Sequence, residues 1–170
     1  MLVFLDTEFT NFVRPDLISI VLVSEDGREF YAERTDYRHA DCSDFVRQTV
    51  QPLLGRVPGA QCDRAELSRR LRGWFAQLPE PAIVIHDFQS DWALLAEAWL
   101  GGSDCRQPPA KLGENLHLDS QAITHPVFER AQNHIYTQDR PPHHALADAR
   151  ALMAGYRAWH KFMQSIWSVQ

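Results

Sequence analysis

Apolar and polar positions alternate in a way that predicts three strands at the start of the chain. The apolar run 2–5 ends in Asp6-Thr7-Glu8, and the run 17–23 is rich in β-branched residues, as is typical of strands. Asp26-Gly27 is a hairpin signal, so residues 28–31 are expected to form the returning strand. The pattern therefore predicts an antiparallel meander of three strands.

From residue 63 the apolar positions recur with the period of a helix. Leu67, Leu71 and Phe75 fall on one stripe, Asp63 precedes it as a candidate cap, and the prolines at 79 and 81 end it. A short apolar strand is predicted at 82–85. A second helix is predicted from about 90 to 100, ending at the glycines 101 and 102.

The last third of the chain is more polar until a long helix closes it. Residues 105–113 are a proline-rich loop, 116–118 a further short strand, 124–142 a polar stretch without predicted elements, and 145–167 a helix. We find no repeat and no domain boundary. The sequence predicts one α/β domain over residues 1–170, with a five-stranded mixed sheet, three strands antiparallel and the others parallel, and helices packed on it.

Composition narrows the class of protein. The chain has 170 residues, of which 45% are hydrophobic, enough for one domain with its own core. Its three cysteines, Cys42, Cys62 and Cys105, form no CxxC pair and are expected to be reduced thiols. With no signal peptide and no apolar run of about 20 residues, no membrane contact is expected and a cytoplasmic location is predicted.

The net charge of −5 argues against a protein that coats duplex DNA through a broad basic surface. It is compatible with an acidic pocket that attracts divalent cations and, through them, a phosphate.

Several acids occupy positions that the apolar pattern assigns to buried faces. In a strand, Asp6 and Glu8 share the face of Leu2 and Phe4, and two carboxylates so close repel each other unless a cation lies between them. A solvated strand end is the alternative interpretation. On the second helix Asp91 lies on the stripe of Leu95, although an acid in a first turn also serves as a cap.

The last predicted helix carries an acid, Asp148, among apolar residues. Asp148 is flanked by Ala145, Ala151 and Leu152, an apolar setting in which a bare carboxylate is costly. Arg150 is two residues away and points to another side of the helix. A metal ion, or an arginine from elsewhere, is therefore expected to compensate Asp148. Asp87, four residues before Asp91, is a second candidate that the residues alone leave open.

His143 and His144 precede this helix, and a histidine is able to take a proton from water near neutral pH. Chemistry alone does not choose between the two. Oxygen ligands favour Mg²⁺ or Mn²⁺ over zinc, and four acids can hold two such ions about 4 Å apart, an arrangement that promotes hydrolysis at phosphorus. The residues therefore predict metal-assisted phosphodiester hydrolysis.

Three segments carry a resemblance to known enzymes: Phe4-Leu-Asp-Thr-Glu-Phe9, Ile85-His-Asp-Phe-Gln-Ser-Asp91 and His143-His-Ala-Leu-Ala-Asp148. In this order they resemble the DEDDh 3′-to-5′ exonucleases of the ribonuclease T and oligoribonuclease superfamily. The likeness is greatest to short bacterial exoribonucleases, of the kind that degrades adenylate-containing RNA in mycobacteria. It implies an RNase H-like fold with helices on both faces of the sheet, and release of 5′-mononucleotides from the 3′ end of a single strand.

The resemblance also implies roles for individual residues. It selects His143 over His144 as the base and Asp91 over Asp87 as the ligand, and it assigns two Mg²⁺ or Mn²⁺ ions to four acids: Asp6, Glu8, Asp91 and Asp148. Thr7 and Glu8 would contact the 3′-terminal nucleotide. Phe9 and Phe12 are candidate stacking platforms, with ordinary core packing as the alternative.

Two positions depart from the pattern, since many relatives carry Asn where this chain has Asp87 and Glu where it has Ser19. RNA is favoured over DNA only through the likeness to the short bacterial enzymes, because that choice depends on contacts to the 2′-OH. The alternatives are a DNA-directed exonuclease of proofreading or repair, a phosphoesterase acting on small nucleotides, and a non-catalytic binding module. Related enzymes are often dimers, so a homodimer is an expectation of the resemblance.

Overall fold

A six-stranded mixed sheet forms the centre of the structure, a computed structural model that describes residues 1–101, 106–137 and 141–168. The strands are β1 (Leu2–Phe9), β2 (Leu17–Ser24), β3 (Glu29–Arg34), β4 (Gln61–Cys62), β5 (Ala82–His86) and β6 (Leu112–His117). Their order is β4-β3-β2-β1-β5-β6. The first three strands are antiparallel, and β4, β5 and β6 each pair in parallel with a neighbour.

Within the described ranges, the α-helices that accompany the sheet are α1 (Arg64–Ala76), α2 (Gln89–Leu100), α3 (Ser120–Ile123), α4 (Pro126–Asn133) and α5 (Ala145–Trp167). The cap of α1 is as predicted, since the Asp63 side chain accepts a hydrogen bond from the Glu66 backbone N–H. The Glu66 carboxylate accepts hydrogen bonds from the guanidinium groups of Arg69 and Arg70.

Helices cover both faces of the sheet, and β1 supplies side chains to each face in turn. Val3 and Leu5 pack with apolar residues of α1 and α2, among them Leu67 and Leu95. Phe4 packs on the opposite face with Phe128 of α4 and Leu152 of α5. Because the sheet is covered on both sides at its centre, every residue of β2 is buried.

The prediction of five strands is wrong by one strand. β4 has only two residues, too few for any alternation to be visible in the sequence. The last strand covers Leu112–His117 rather than 116–118, because most of its side chains are exposed at the sheet edge and carry no apolar signal. The polar stretch 124–142 was predicted without elements, yet it contains α4, of which only Phe128 is buried.

Residues 39–53 also form short helical turns that were not predicted, His39–Asp41, Val46–Val50 and Gln51–Leu53. They pack beside β2 through Ile18 and Val46. Cys42 and Cys62 are buried free thiols, while Cys105 lies outside the described residues. Among the described helices, none is both long and apolar enough to cross a membrane.

Candidate active site

β1 and β5 run in parallel, and their carboxyl ends meet at one edge of the sheet, where α2 begins. Phe4 pairs with Ile85 in this ladder, and two residues further along each chain lie Asp6 and Asp87. Side chains two residues apart in a strand share a face, so Asp6 extends the face that α5 covers, and Asp87 follows the end of β5 at the same edge. Ligand sites of α/β proteins are common at this edge.

Asp91 reaches the same place from the first turn of α2. It is 1% exposed, and its Oδ1 accepts a hydrogen bond of 2.6 Å from the Thr7 hydroxyl. Its Oδ2 is buried and has no hydrogen-bond partner among the described residues. The Thr7 side chain, which points toward α2, therefore holds Asp91 in place and leaves one carboxylate oxygen unused.

Asp148, in the first turn of α5, is held by two donors. The Tyr136 hydroxyl donates to Oδ1 at 2.7 Å, and the backbone N–H of His143 donates to Oδ2 at 2.8 Å. Arg150 instead forms a two-fold ion pair with Glu29 at the start of β3, as its direction on the helix requires. Across the described ranges, no arginine compensates Asp148.

The structure separates the two histidines that precede α5. His143 has a left-handed backbone (φ 67°), packs edge-on against the exposed Phe45 ring and lines the same cleft as Asp6 and Glu8. His144 stacks on Tyr31 of β3, and burial lowers its pKa. Of these two histidines, only His143 lies beside the acids.

The acids form two groups. One ligand atom from each of Glu8, His143 and Asp148 lies within 4.8 Å of the other two, and the same holds for one oxygen from each of Asp6, Asp87 and Asp91. The second group includes Asp87 beside Asp91, so the structure does not choose between the two candidates.

Burial and mutual repulsion disfavour the ionised form of these acids. Burial, with added repulsion from neighbouring acids, raises the pKa of Asp6 well above its usual range and that of Glu8 to about 8. Burial raises the pKa of Asp91 to about 7 and that of Asp148 to about 6, and the pKa of Asp87 also rises for this reason.

No lysine or arginine in the described part of the chain forms an ion pair with any of the five acids. Asp6 Oδ2, like Asp91 Oδ2, is buried without a hydrogen-bond partner. A divalent cation would supply a partner to buried carboxylate oxygens that lack one. The donor set, carboxylates with one imidazole at the edge, suits Mg²⁺ or Mn²⁺.

A cleft of about 570 Å³ opens in front of the acids, within the range of small-ligand sites. One side is formed by three phenyl rings with centroids 5.3 to 5.9 Å apart, those of Phe9, Phe12 and Phe88. Phe9 also packs on the core, whereas Phe12 is 79% exposed. Core packing thus accounts for Phe9 in part and does not account for Phe12.

Sequence reasoning missed three contributors to the site. Tyr136 lies in the polar stretch, where nothing marked it as the partner of Asp148. Phe45 comes from the unpredicted turns that follow β3. The one sign that could have predicted Phe88 is its position between Asp87 and Asp91, just after a strand. Side chains at such a position reach this edge of the sheet.

No protein-family model matches the chain, and no characterised protein matches its sequence. What the cleft offers is its own residues: buried or partly buried acids that form no ion pair with a described residue, the adjacent His143 and a cluster of aromatic rings.

Proposed function

We propose that this protein is a divalent-metal-dependent 3′-to-5′ exonuclease of the DEDDh type, with an RNase H-like fold, that releases 5′-mononucleotides from single-stranded nucleic acid, with RNA as the favoured substrate. Four acids from three separate elements converge on one cleft, and no described lysine or arginine forms an ion pair with them. This convergence is the main support for metal-dependent hydrolysis of a phosphodiester. The direction of degradation and the preference for RNA rest on the sequence resemblance.

Asp6, Glu8, Asp91 and Asp148 would hold two Mg²⁺ or Mn²⁺ ions. Such ions, when bound, supply an activated water and neutralise charge that develops on the phosphate. His143 lies next to Glu8 and Asp148 and is exposed at the cleft, so it can remove a proton from the attacking water. Tyr136 and the His143 backbone hold Asp148 by hydrogen bonds, which keeps its carboxylate in place beside His143.

The phenyl rings supply the binding surface for the end of the strand. Bases stack on aromatic rings whatever their sequence, and Phe12 and Phe88 expose ring surface next to the acids. Thr7 and Glu8 also line the cleft, where they would meet the terminal nucleotide. A cleft of this size suits one nucleotide at the end of a strand.

The proposal is tested with 5′-labelled single-stranded RNA and DNA of matched sequence, in Mg²⁺, Mn²⁺ or chelator. We expect a ladder that shortens from the 3′ end and disappears in chelator. Asp6→Asn should abolish it, and His143→Ala should slow it by about 10²- to 10⁴-fold, the usual contribution of a general base. His144→Ala is the matched control, because it removes the neighbouring histidine that faces Tyr31, and it should retain activity.

Each outcome separates the alternatives. Faster shortening of DNA would assign the DNA-directed exonuclease, and cleavage of dinucleotides alone would assign a small-nucleotide phosphoesterase. If neither strand is shortened although Mn²⁺ binds, the chain is a binding module and the catalytic proposal is wrong.

A further inference from the structure

Asp87 occupies a fixed place beside two acids of the proposed two-metal site. It directly follows β5, and the backbone around it is held on both sides. The Leu118 N–H donates to the His86 carbonyl at 2.9 Å, and His86 Nδ1 lies 2.9 Å from the Phe88 carbonyl. The loop thus presents Asp87 in a defined position.

The carboxylate of Asp87 lies beside those of Asp6 and Asp91. One of its oxygens lies within 4.8 Å of an oxygen of Asp6 and of one of Asp91. In the described ranges, no basic side chain pairs with it and no side-chain donor bonds to it. Asp87 does not line the cleft. Its position therefore suits contact with a metal ion better than contact with a nucleotide in the cleft.

A second observation points to a ligand at this position. Asp91 is 1% exposed, and neither its Oδ2 nor Asp6 Oδ2 has a hydrogen-bond partner in the part of the chain that the structure describes. Mg²⁺ holds oxygen ligands at about 2.1 Å, so that opposite ligands are about 4.2 Å apart. Adjacent ligands of such an ion are about 3.0 Å apart, so oxygens within 4.8 Å of one another would share one ion after their side chains rotate toward it.

We propose that Asp87 is a third carboxylate ligand, with Asp6 and Asp91, of one of the two ions, and that this ion binds in the absence of nucleic acid. The other ion, between Glu8 and Asp148, has fewer carboxylates of its own and binds more weakly. Affinity for hard cations rises with the number of charged ligands, which makes the two sites unequal. The inference rests on the two-metal site proposed above.

Calorimetric titration of the chelator-treated, nucleic-acid-free protein with Mn²⁺ tests this assignment. The unsubstituted protein is expected to show a tight and a weak class of site. Asp87→Asn should weaken the tight class more than about tenfold, because even the loss of a group that only orients a metal ligand costs about 10- to 100-fold, and leave the weak class within about twofold. Asp148→Asn should have the opposite selectivity.

Glu97→Gln is the matched control, because it removes one exposed carboxylate from α2 itself, and it should leave both classes unchanged. Asp87→Glu retains the charge but displaces the oxygens. This variant should also weaken the tight class. If it binds Mn²⁺ as the unsubstituted protein does, Asp87 acts only through its negative charge and is not a ligand of the ion. Circular dichroism of each variant in chelator establishes that it is folded.

Two further results separate this inference from the proposed function. If Asp87→Asn binds Mn²⁺ as the unsubstituted protein does, while Asp6→Asn does not, Asp87 is not a ligand but the metal-dependent nuclease stands. If the unsubstituted protein binds no Mn²⁺, both proposals are wrong.

Discussion

Individual residues around the cleft divide into groups that hold the acids and groups that face the open space. Thr7 and Tyr136 each donate a hydrogen bond to an acid from a different element, and partners of this kind fix the direction of metal ligands. Phe12 belongs to the second group, because its ring is largely exposed in the loop that follows β1. Asn11 stabilises this loop by accepting hydrogen bonds from the Val13 and Arg14 backbones.

Phe12→Ala is expected to weaken binding of single strands without a loss of stability. A stacked base contributes about 1–3 kcal/mol, which corresponds to an increase of about 5- to 150-fold in Kd, while an exposed ring contributes little to folding. Fluorescence anisotropy with a labelled oligonucleotide, in a His143→Ala background that slows turnover, measures the effect. Trp167→Ala removes a ring that is 72% exposed at the far end of α5 and should leave Kd unchanged; equal Kd for both variants would exclude stacking on Phe12.

At the scale of elements, the packing of α4 on α5 places Tyr136 against Asp148. Phe128 of α4 is fully buried and lies over Gly155 of α5, where an added Cβ would be 2.5 Å from the ring atom Cε1. Glycine is therefore needed at this helix crossing for close approach. The segment after α4 then continues to Tyr136.

Gly155→Ala is expected to destabilise the protein by up to about 2 kcal/mol, because an overpacking cost of about 1–3 kcal/mol exceeds the gain of up to about 1 kcal/mol in helix propensity. Gly73→Ala is the matched control, since Gly73 lies inside α1 with no atom within 4 Å of an added Cβ. It should stabilise the protein by about 0.5–1 kcal/mol. Urea unfolding measures both, and a stabilised Gly155→Ala variant would contradict this account of the crossing.

At the scale of the whole molecule, the cleft concentrates negative charge that folding alone does not neutralise. The folded-state pKa values of Glu8, Asp91 and Asp148 are raised to about 8, 7 and 6. An acid with a raised pKa favours the folded state while it is protonated, and this contribution disappears as the pH rises from the unfolded pKa near 4 to the folded value. The site therefore opposes folding of the metal-free protein near neutral pH.

In chelator, we expect the free energy of unfolding to decrease between about pH 4 and pH 8, by an amount on the order of a few kcal/mol. Mn²⁺ should restore it, with a larger effect at pH 8 than at pH 5, because the ligands must be ionised to bind. Thermal unfolding across this pH range, with and without Mn²⁺, measures both effects. A stability that is constant or increases toward pH 8 in chelator would show that the acids are solvated and not forced together.

Much of the fold followed from local patterns because the core elements are strongly periodic. The helix at 145–167 has the bounds of α5 as predicted, and the antiparallel meander is confirmed. β4 and α4 were not predicted, because their stability depends on contacts made elsewhere: pairing with β3 for the first, and one buried phenyl ring for the second. Elements with few buried residues leave little trace in a hydrophobic pattern.

The sequence alone determined which acids stand on apolar faces, because alternation along β1 and the stripes of α2 and α5 place Asp6, Asp91 and Asp148 toward the interior whatever the details of packing. Only the tertiary structure decided which groups meet there. It separated His143 from His144, directed Arg150 to Glu29, brought Asp87 to Asp6 across the sheet, and placed Tyr136 against Asp148. Those distances depend on the register of β1 with β5 and on how α4 and α5 cross, which no local pattern specifies.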